Sequence, residues 1–125
     1  IEEVLADADA TPTLVFDEVD AGIGGRSADP VGRTLWSLGR RHQVLCVTHL
    51  PQIAAHADAH FAIHKEVRDG RTVTEVRRLE GEERVAELAA MIGGPGGGPA
   101  AIASAHELLE RAARFRRSRG AEPER

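Results

Sequence analysis

The chain has 125 residues, with 16 Lys plus Arg against 20 Asp plus Glu and a formal net charge of −4. That length fits one domain or part of one, and the charge balance excludes a wholly basic nucleic-acid module, leaving only a local basic patch to meet phosphates. Hydrophobic residues at 42% are enough for a globular core and too many for a disordered tail.

With Phe16, Trp36, Phe61 and Phe115 as the aromatic residues, the core is expected to be aliphatic and alanine-rich. The single Cys46 excludes an intrachain disulfide and gives no reason to expect an oxidising compartment. The longest apolar run, Leu88 to Ile92, is too short to span a membrane. Glu2, Glu3, Asp7 and Asp9 stand where a signal peptide needs a basic segment and an apolar stretch. The expectation is a cytoplasmic protein. An opening at Ile1 rather than Met is what a piece of a longer chain would show.

In chain order, residues 1–10 are acidic, alanine-rich and free of Gly and Pro, which predicts a helix. Thr13-Leu14-Val15-Phe16-Asp17 is an apolar run ending in a carboxylate, the pattern of a strand buried on both faces in a parallel sheet. A loop with three glycines follows, from Glu18 to Gly25. Asp29-Pro30 then supplies an N-cap and first-position pair for a helix whose Val31, Leu35 and Leu38 share one face.

Val44 to Thr48 predicts a second buried strand, with His49 directly after it, and Pro51 opens a short helix to about Ala57. His60–Val67 and Arg71–Leu79 predict two strands joined by the hairpin turn Asp69-Gly70. A helix over 82–92 carries Val85, Leu88, Ala89 and Ile92 on one face and is stopped by Gly93. After the glycine-rich connection 93–98, Pro99 opens a last helix to about Arg117, with Ile102, Ala105, Leu109 and Ala112 along one face; residues 118–125 are expected to fray. Strand, helix, strand at the front implies a parallel crossover and an α/β sheet.

Chemistry concentrates at Leu14-Val15-Phe16-Asp17-Glu18, where an apolar strand delivers two carboxylates at its carboxyl end. A first carboxylate fixed there can hold Mg²⁺, and a second can orient or deprotonate water. A solvated acidic turn would read the same over five residues. The second strand adds weight: parallel neighbours bring their carboxyl ends to one rim, where ligands bind in open α/β sheets. His49 therefore belongs beside Asp17 and Glu18, and an imidazole there can hydrogen-bond a terminal phosphate. The intervening Val19–Gly25 is rich in glycine, which permits close backbone approach to a phosphate or a facing subunit. Lys65 is the only lysine and follows no glycine-rich turn, so the chain holds no G-x-x-x-x-G-K-[ST] phosphate loop.

Thr13–Gly25 (TLVFDEVDAGIGG) with Val44–Ala54 (VLCVTHLPQIA) closely resembles the C-terminal end of the bacterial RecN family of DNA-repair ATPases, relatives of the SMC and ABC-type proteins. The likeness runs on through the strand pair and Glu87–Gly94 (ELAAMIGG), covering roughly residues 3–115. It implies the C-terminal half of an α/β P-loop NTPase head, with parallel strands, a crossover helix, a β-hairpin and C-terminal helices. Residues 1–94 would form the lobe, 95–98 a glycine-rich linker, 99–118 a helix and 119–125 a disordered tail.

The resemblance also implies ATP and Mg²⁺ as cofactors. Asp17 is then the Walker B aspartate, holding Mg²⁺ directly or through water, and Glu18 the catalytic glutamate. Asp20, Gly22, Gly24 and Gly25 fall in the D-loop, and His49 is the switch histidine. Relatives commonly carry Leu-Asp near the end of the D-loop, where this chain has Ile23-Gly24. Implied partners are the missing N-terminal half of the same head, a second head in a homodimer, and DNA reached through the full-length protein. The implied role is recombinational repair of double-strand breaks at the bacterial nucleoid, with the fragment inactive alone.

Two other readings compete. One is a non-catalytic module using the basic stretch 111–119 (RAARFRRSR) to contact DNA or a protein; a solvated terminal helix explains the same arginines, and arginine outnumbers lysine 15 to 1 throughout. The other is the nucleotide-binding domain of a transporter, which the VTHLPQI block disfavours. Zinc is disfavoured because His60 and His64 would stand about 13 Å apart along one strand.

Overall fold

The computed structural model describes residues 12–17 and 25–120. The element order is β1 (Thr13–Asp17), α1 (Gly25–Leu38), β2 (Gln43–Val47), α2 (Pro51–Ala54), β3 (His60–Arg68), β4 (Arg71–Leu79), α3 (Glu82–Gly93) and α4 (Pro99–Gly120). The helix expected over 1–10 and the end of the expected tail, 121–125, lie outside the described residues.

β1 and β2 pair in parallel and in register from Thr13 opposite Gln43 to Asp17 opposite Val47. α1 connects them, as the strand, helix, strand order predicts. The pair departs from the sequence reading in one respect. Its burial alternates residue by residue: Leu14 and Phe16 are buried, whereas Val15 is 58% and Leu45 51% exposed. Side chains of a strand point alternately to opposite faces, and among the described residues helices cover only one face. Leu14, Phe16, Ala28, Leu35 and Ile53 form that core, with Val31, Leu38, Val44, Cys46 and Leu50 packed against it.

α1 starts at Gly25, so Asp29 and Pro30 lie inside the helix rather than at its cap. Proline has no N–H to donate, and as the sixth residue of α1 Pro30 forgoes one i→i−4 bond of the helix. Freed from capping, Asp29 turns its carboxylate to other partners.

β3 and β4 form an antiparallel hairpin from His60 opposite Leu79 to Arg68 opposite Arg71. Asp69 (φ 52°) and Gly70 (φ 75°) both take positive φ, the requirement of a two-residue turn matched to strand twist. Phe61, Ile63, Val67 and Val76 share one face of the hairpin and are exposed.

A second core joins α2, α3 and α4 through Ala54, Ala55, Val85, Leu88, Ala89, Ala101 and Ala105. On α4, Ala105 and Ala112 of the expected face are buried and Leu109 packs against the core, but Ile102 is exposed and Ala101 is buried in its place; Ile92 of α3 is exposed as well. Alanines allow the two helices to approach closely, and at the start of α4 the contact falls on Ala101 rather than Ile102. Gly94, not Gly93, ends α3, with φ 86° and its N–H bonded to Ala90 O at 2.8 Å. Within the glycine run Gly97 packs on α3, where an added Cβ would stand 3.1 Å from Ala89 Cβ, whereas Gly94, Gly96 and Gly98 face open space. α4 continues through 118–120, three residues expected to fray, with Arg117 and Arg119 favourably placed against its carboxyl-end dipole. No helix among the described residues is long and apolar enough to cross a membrane.

Candidate functional site

Because β1 and β2 run parallel in register, their carboxyl ends share one rim. Asp17 is the last residue of β1, exposed, with Val47 as its register partner. His49, also exposed, lies two residues beyond the end of β2. Thr48 keeps a local role, its hydroxyl accepting the Leu50 N–H at 3.0 Å and shaping the turn into α2. Gly25 is the first residue of α1. Glu18, Asp20, Gly22 and Gly24 fall outside the described residues. Of the residues picked out in the sequence, the structure thus brings Asp17 and the His49 turn to the same end of the sheet.

Mg²⁺ is usually held by one or two carboxylates together with phosphate oxygens and water, not by an all-protein cage. Among the described residues no three His, Cys, Asp or Glu side chains gather at one point. A lone exposed carboxylate at a strand tip has the donor chemistry for a cation that arrives with a nucleotide. Lys65 sits within β3 and not near a glycine-rich turn.

α1, the end of α2 and α4 share a polar cluster that sequence reasoning missed. His56, only 4% exposed, sits just past α2 and bonds through Nε2 to Asp29 Oδ1 at 2.8 Å. Arg33 Nε meets the other carboxylate oxygen at 2.9 Å. Burial works to raise the Asp29 pKa, but the His56 hydrogen bond and the charges of Arg33 and Arg111 outweigh it and hold the carboxyl below its ordinary value. The His56 ring packs edge-on against Phe115 of α4 at 5.8 Å, and Phe115 in turn meets Trp36 at 5.6 Å. Trp36 donates its indole N–H to Asp58 at 3.0 Å, so it is a packing residue with a satisfied donor. The only hint in the sequence was the Asp29–Arg33 spacing of four; nothing marked His56 as their neighbour.

Arg84 of α3 is the second missed residue. Its Nη2 donates to the carbonyls of Ala54 (3.1 Å), Ala55 (3.4 Å) and Ala57 (2.8 Å), closing the carboxyl end of α2. Burial, and then the charge of Arg116, lower its pKa against the opposing pull of Asp58. A separate groove of about 580 Å³ lies between the hairpin and α3. It is lined by His64, Glu66, Glu75, Arg77, Glu83 and Glu87, of which Arg77 and Glu83 are ion-paired.

No family model matches the chain. Individual proteins do. The DNA repair protein RecN of Mycobacterium leprae is 53% identical over 112 residues, 90% of this chain and 19% of that protein. RecN of Xylella fastidiosa is 50% identical over 102 residues (82% and 18%), and RecN of Treponema pallidum 44% identical over 117 (94% and 20%). The chain therefore spans about a fifth of the length of the curated relatives it matches. A solved structure from work on ATP-driven dimerization and DNA-stimulated activation of SMC ATPases aligns with 60% of this chain and 44% of its own, at a TM-score of 0.49 and 25% identity. Along some nine-tenths of its length this chain is related to RecN, and it corresponds to a C-terminal segment of that protein.

Proposed function

We propose that the chain is the C-terminal part of a RecN-like ATPase head and that it works in the repair of DNA breaks in the bacterial cytoplasm, at the nucleoid. The observation that carries this reading is the in-register parallel pairing that leaves Asp17 and the His49 turn on one rim, in a sequence about half identical to RecN. The roles follow from position and chemistry. Asp17 at the strand tip would hold the Mg²⁺ shell, directly or through water, and the ion would supply charge neutralisation at the phosphoryl group. Glu18, the next residue, orients and deprotonates the attacking water. His49 hydrogen-bonds the γ-phosphate, and the segment Asp20, Gly22, Gly24, Gly25 faces a second head, so that two heads close over two nucleotides.

The missing phosphate loop belongs to the preceding part of the same head, which makes this segment inactive alone. The exposed apolar row Val15, Leu45 and Val47 supports that division, because a parallel sheet is ordinarily covered on both faces. The basic-module alternative loses ground for a physical reason: α4 buries Ala101, Ala105 and Ala112 and packs Phe115 on His56, so it is built into the body.

Glu18→Gln in the full-length protein tests the reading. It should leave ATP-dependent head association intact while lowering phosphate release by about 10²-fold or more. Phosphate release at the wild-type rate would remove Glu18 from the chemistry.

A further inference from the structure

Charge is unevenly spread along this chain. Residues 30–57 and 111–120 contain no Asp or Glu, yet they hold eight of the 15 arginines; all 20 acidic side chains lie elsewhere. On the hairpin, by contrast, arginines stand beside glutamates: Arg68 with Glu66, Arg77 with Glu83 and Arg78 with Glu80. Opposite charges so close cancel each other's field at a distance.

The fold brings the two acid-free stretches together. Phe115 of α4 meets Trp36 of α1 edge-on at 5.6 Å. Three guanidiniums lie over this aromatic pair: Arg33 at 4.9 Å and Arg119 at 5.7 Å from the Phe115 centroid, and Arg40 at 5.5 Å from that of Trp36. Arg111, one helical turn before Phe115, adds a fourth cation near Asp29. All four arginines are exposed. Against them stand Asp29, which bonds His56 and Arg33, and Asp58, which takes the Trp36 N–H. The balance is positive, in a chain whose net charge is −4.

A guanidinium stacked on a ring still donates, because its N–H groups radiate in its own plane. The ring also holds it in place, which reduces the freedom lost when it binds an anion. Phe115 is hemmed in by Trp36, His56 and two guanidiniums, so the surface offers contacts to phosphate rather than a platform for a base. It also lies away from the rim. Arg40 stands three residues before β2, at its amino end, whereas Asp17 and His49 lie at the carboxyl ends of the strands.

We infer that the joint face of α1 and α4, with Arg33, Arg40, Arg111 and Arg119 around Trp36 and Phe115, binds the sugar-phosphate backbone of duplex DNA without reading its sequence. Cations held on two packed helices suit a regular, stiff array of phosphates better than a pliable acidic peptide. This rests on the DNA-repair reading above and adds the surface through which the segment meets DNA. It does not make α4 a separate module, since α1 supplies half of the cations.

The test is fluorescence anisotropy of a random-sequence duplex of about 30 base pairs with the full-length protein, over a salt series from about 50 to 200 mM. Arg40→Gln, Arg111→Gln and Arg119→Gln combined remove three exposed cations, and circular dichroism checks the fold. This triple variant should bind about 10²-fold more weakly near 100 mM salt, and its slope of log affinity against log salt should shrink by about 2 to 3. Lysine at the same three positions should keep most of the slope. Arg68→Gln, Arg77→Gln and Arg78→Gln combined take the same net charge from the hairpin and should leave affinity and slope near wild type. ATP turnover without DNA should match wild type in every variant, because none of these residues stands at the rim.

Unchanged affinity and slope in the α1–α4 triple would overturn the inference, as would an equal loss from the hairpin triple. Loss of polyglutamate binding with duplex binding intact would assign the face to an acidic protein and overturn it too. The two levels separate cleanly. If wild type binds the duplex and the triple variant binds it equally, only the surface falls; if wild type binds no duplex, the DNA-repair reading falls and the surface with it.

Discussion

The α2–α3–α4 body and the β1–β2 pair solve the burial problem differently. The helical body closes on itself, with Leu88 and Ala105 fully buried between three helices. The strand pair is finished on one face only, Leu14 and Phe16 inward and Val15, Leu45 and Val47 outward. Among the described residues the better-buried part is thus the helical body, whereas the strands that carry the rim keep one apolar face open. That division suits a segment whose proposed chemistry needs a partner lobe.

The comparison breaks most directly at single side chains. Leu88→Ala should destabilise the chain by about 3 kcal/mol, the range for a buried leucine, whereas Val15→Ala on the open face should change stability by about 0.5 kcal/mol or less. Urea unfolding followed by far-UV circular dichroism checks both, and a comparable loss at Val15 would show that face to be covered within this chain. A smaller effect is expected inside the helical body, where α3 ties the end of α2. Arg84→Ala leaves three carbonyls at the end of α2 without their donor and should cost about 1–3 kcal/mol. Arg84→Lys should recover only part of this, since one ammonium cannot match the fork of a guanidinium.

The smallest effect is one of pH, and it separates the hairpin from α1. Burial, then the charge of Arg84, lowers the pKa of His60 at the start of the hairpin. As pH falls below about 6.5 the unfolded chain takes up a proton that folded His60 resists, so stability declines towards acid. Asp29 behaves differently. Its lowered pKa contributes stability that is complete above the ordinary carboxyl value and is lost only as pH falls through the folded one, below about 4. Amide exchange between pH 7 and 5 should therefore loosen the hairpin–α3 side first, and His60→Gln should flatten that response.

Much of the fold was legible because the signals were local. The hairpin followed from two β-rich runs around Asp69-Gly70, and its bounds match the sequence reading to within a residue. β2 begins and ends one residue earlier than expected, and α3 one residue later at its end. The parallel pairing, and with it the shared rim of Asp17 and the His49 turn, followed from strand, helix, strand order. The misses were tertiary. A Val-Phe-rich strand reads as buried on both faces whether or not a second layer exists to cover it. Asp29-Pro30 has the local chemistry of a cap, but the carboxylate found His56, 27 residues away. On α4, Ala105, Leu109 and Ala112 face the core as expected, and only Ile102 was misplaced: it is more hydrophobic than Ala101, yet a close helix contact selects the smaller residue.

The two-residue turn at Asp69-Gly70 also bears on how the molecule assembles. Every pairing in the hairpin is between near neighbours in sequence, so the strands can zip from their tip on a scale of about 1–10 μs. β1 and β2 meet only after the whole of α1 has been laid down between them, a longer excursion with a larger entropic toll before any contact is gained. The expected order is hairpin first and rim last. The part of the chain proposed to carry chemistry is then also the last to be completed, which keeps an immature head from presenting a finished rim.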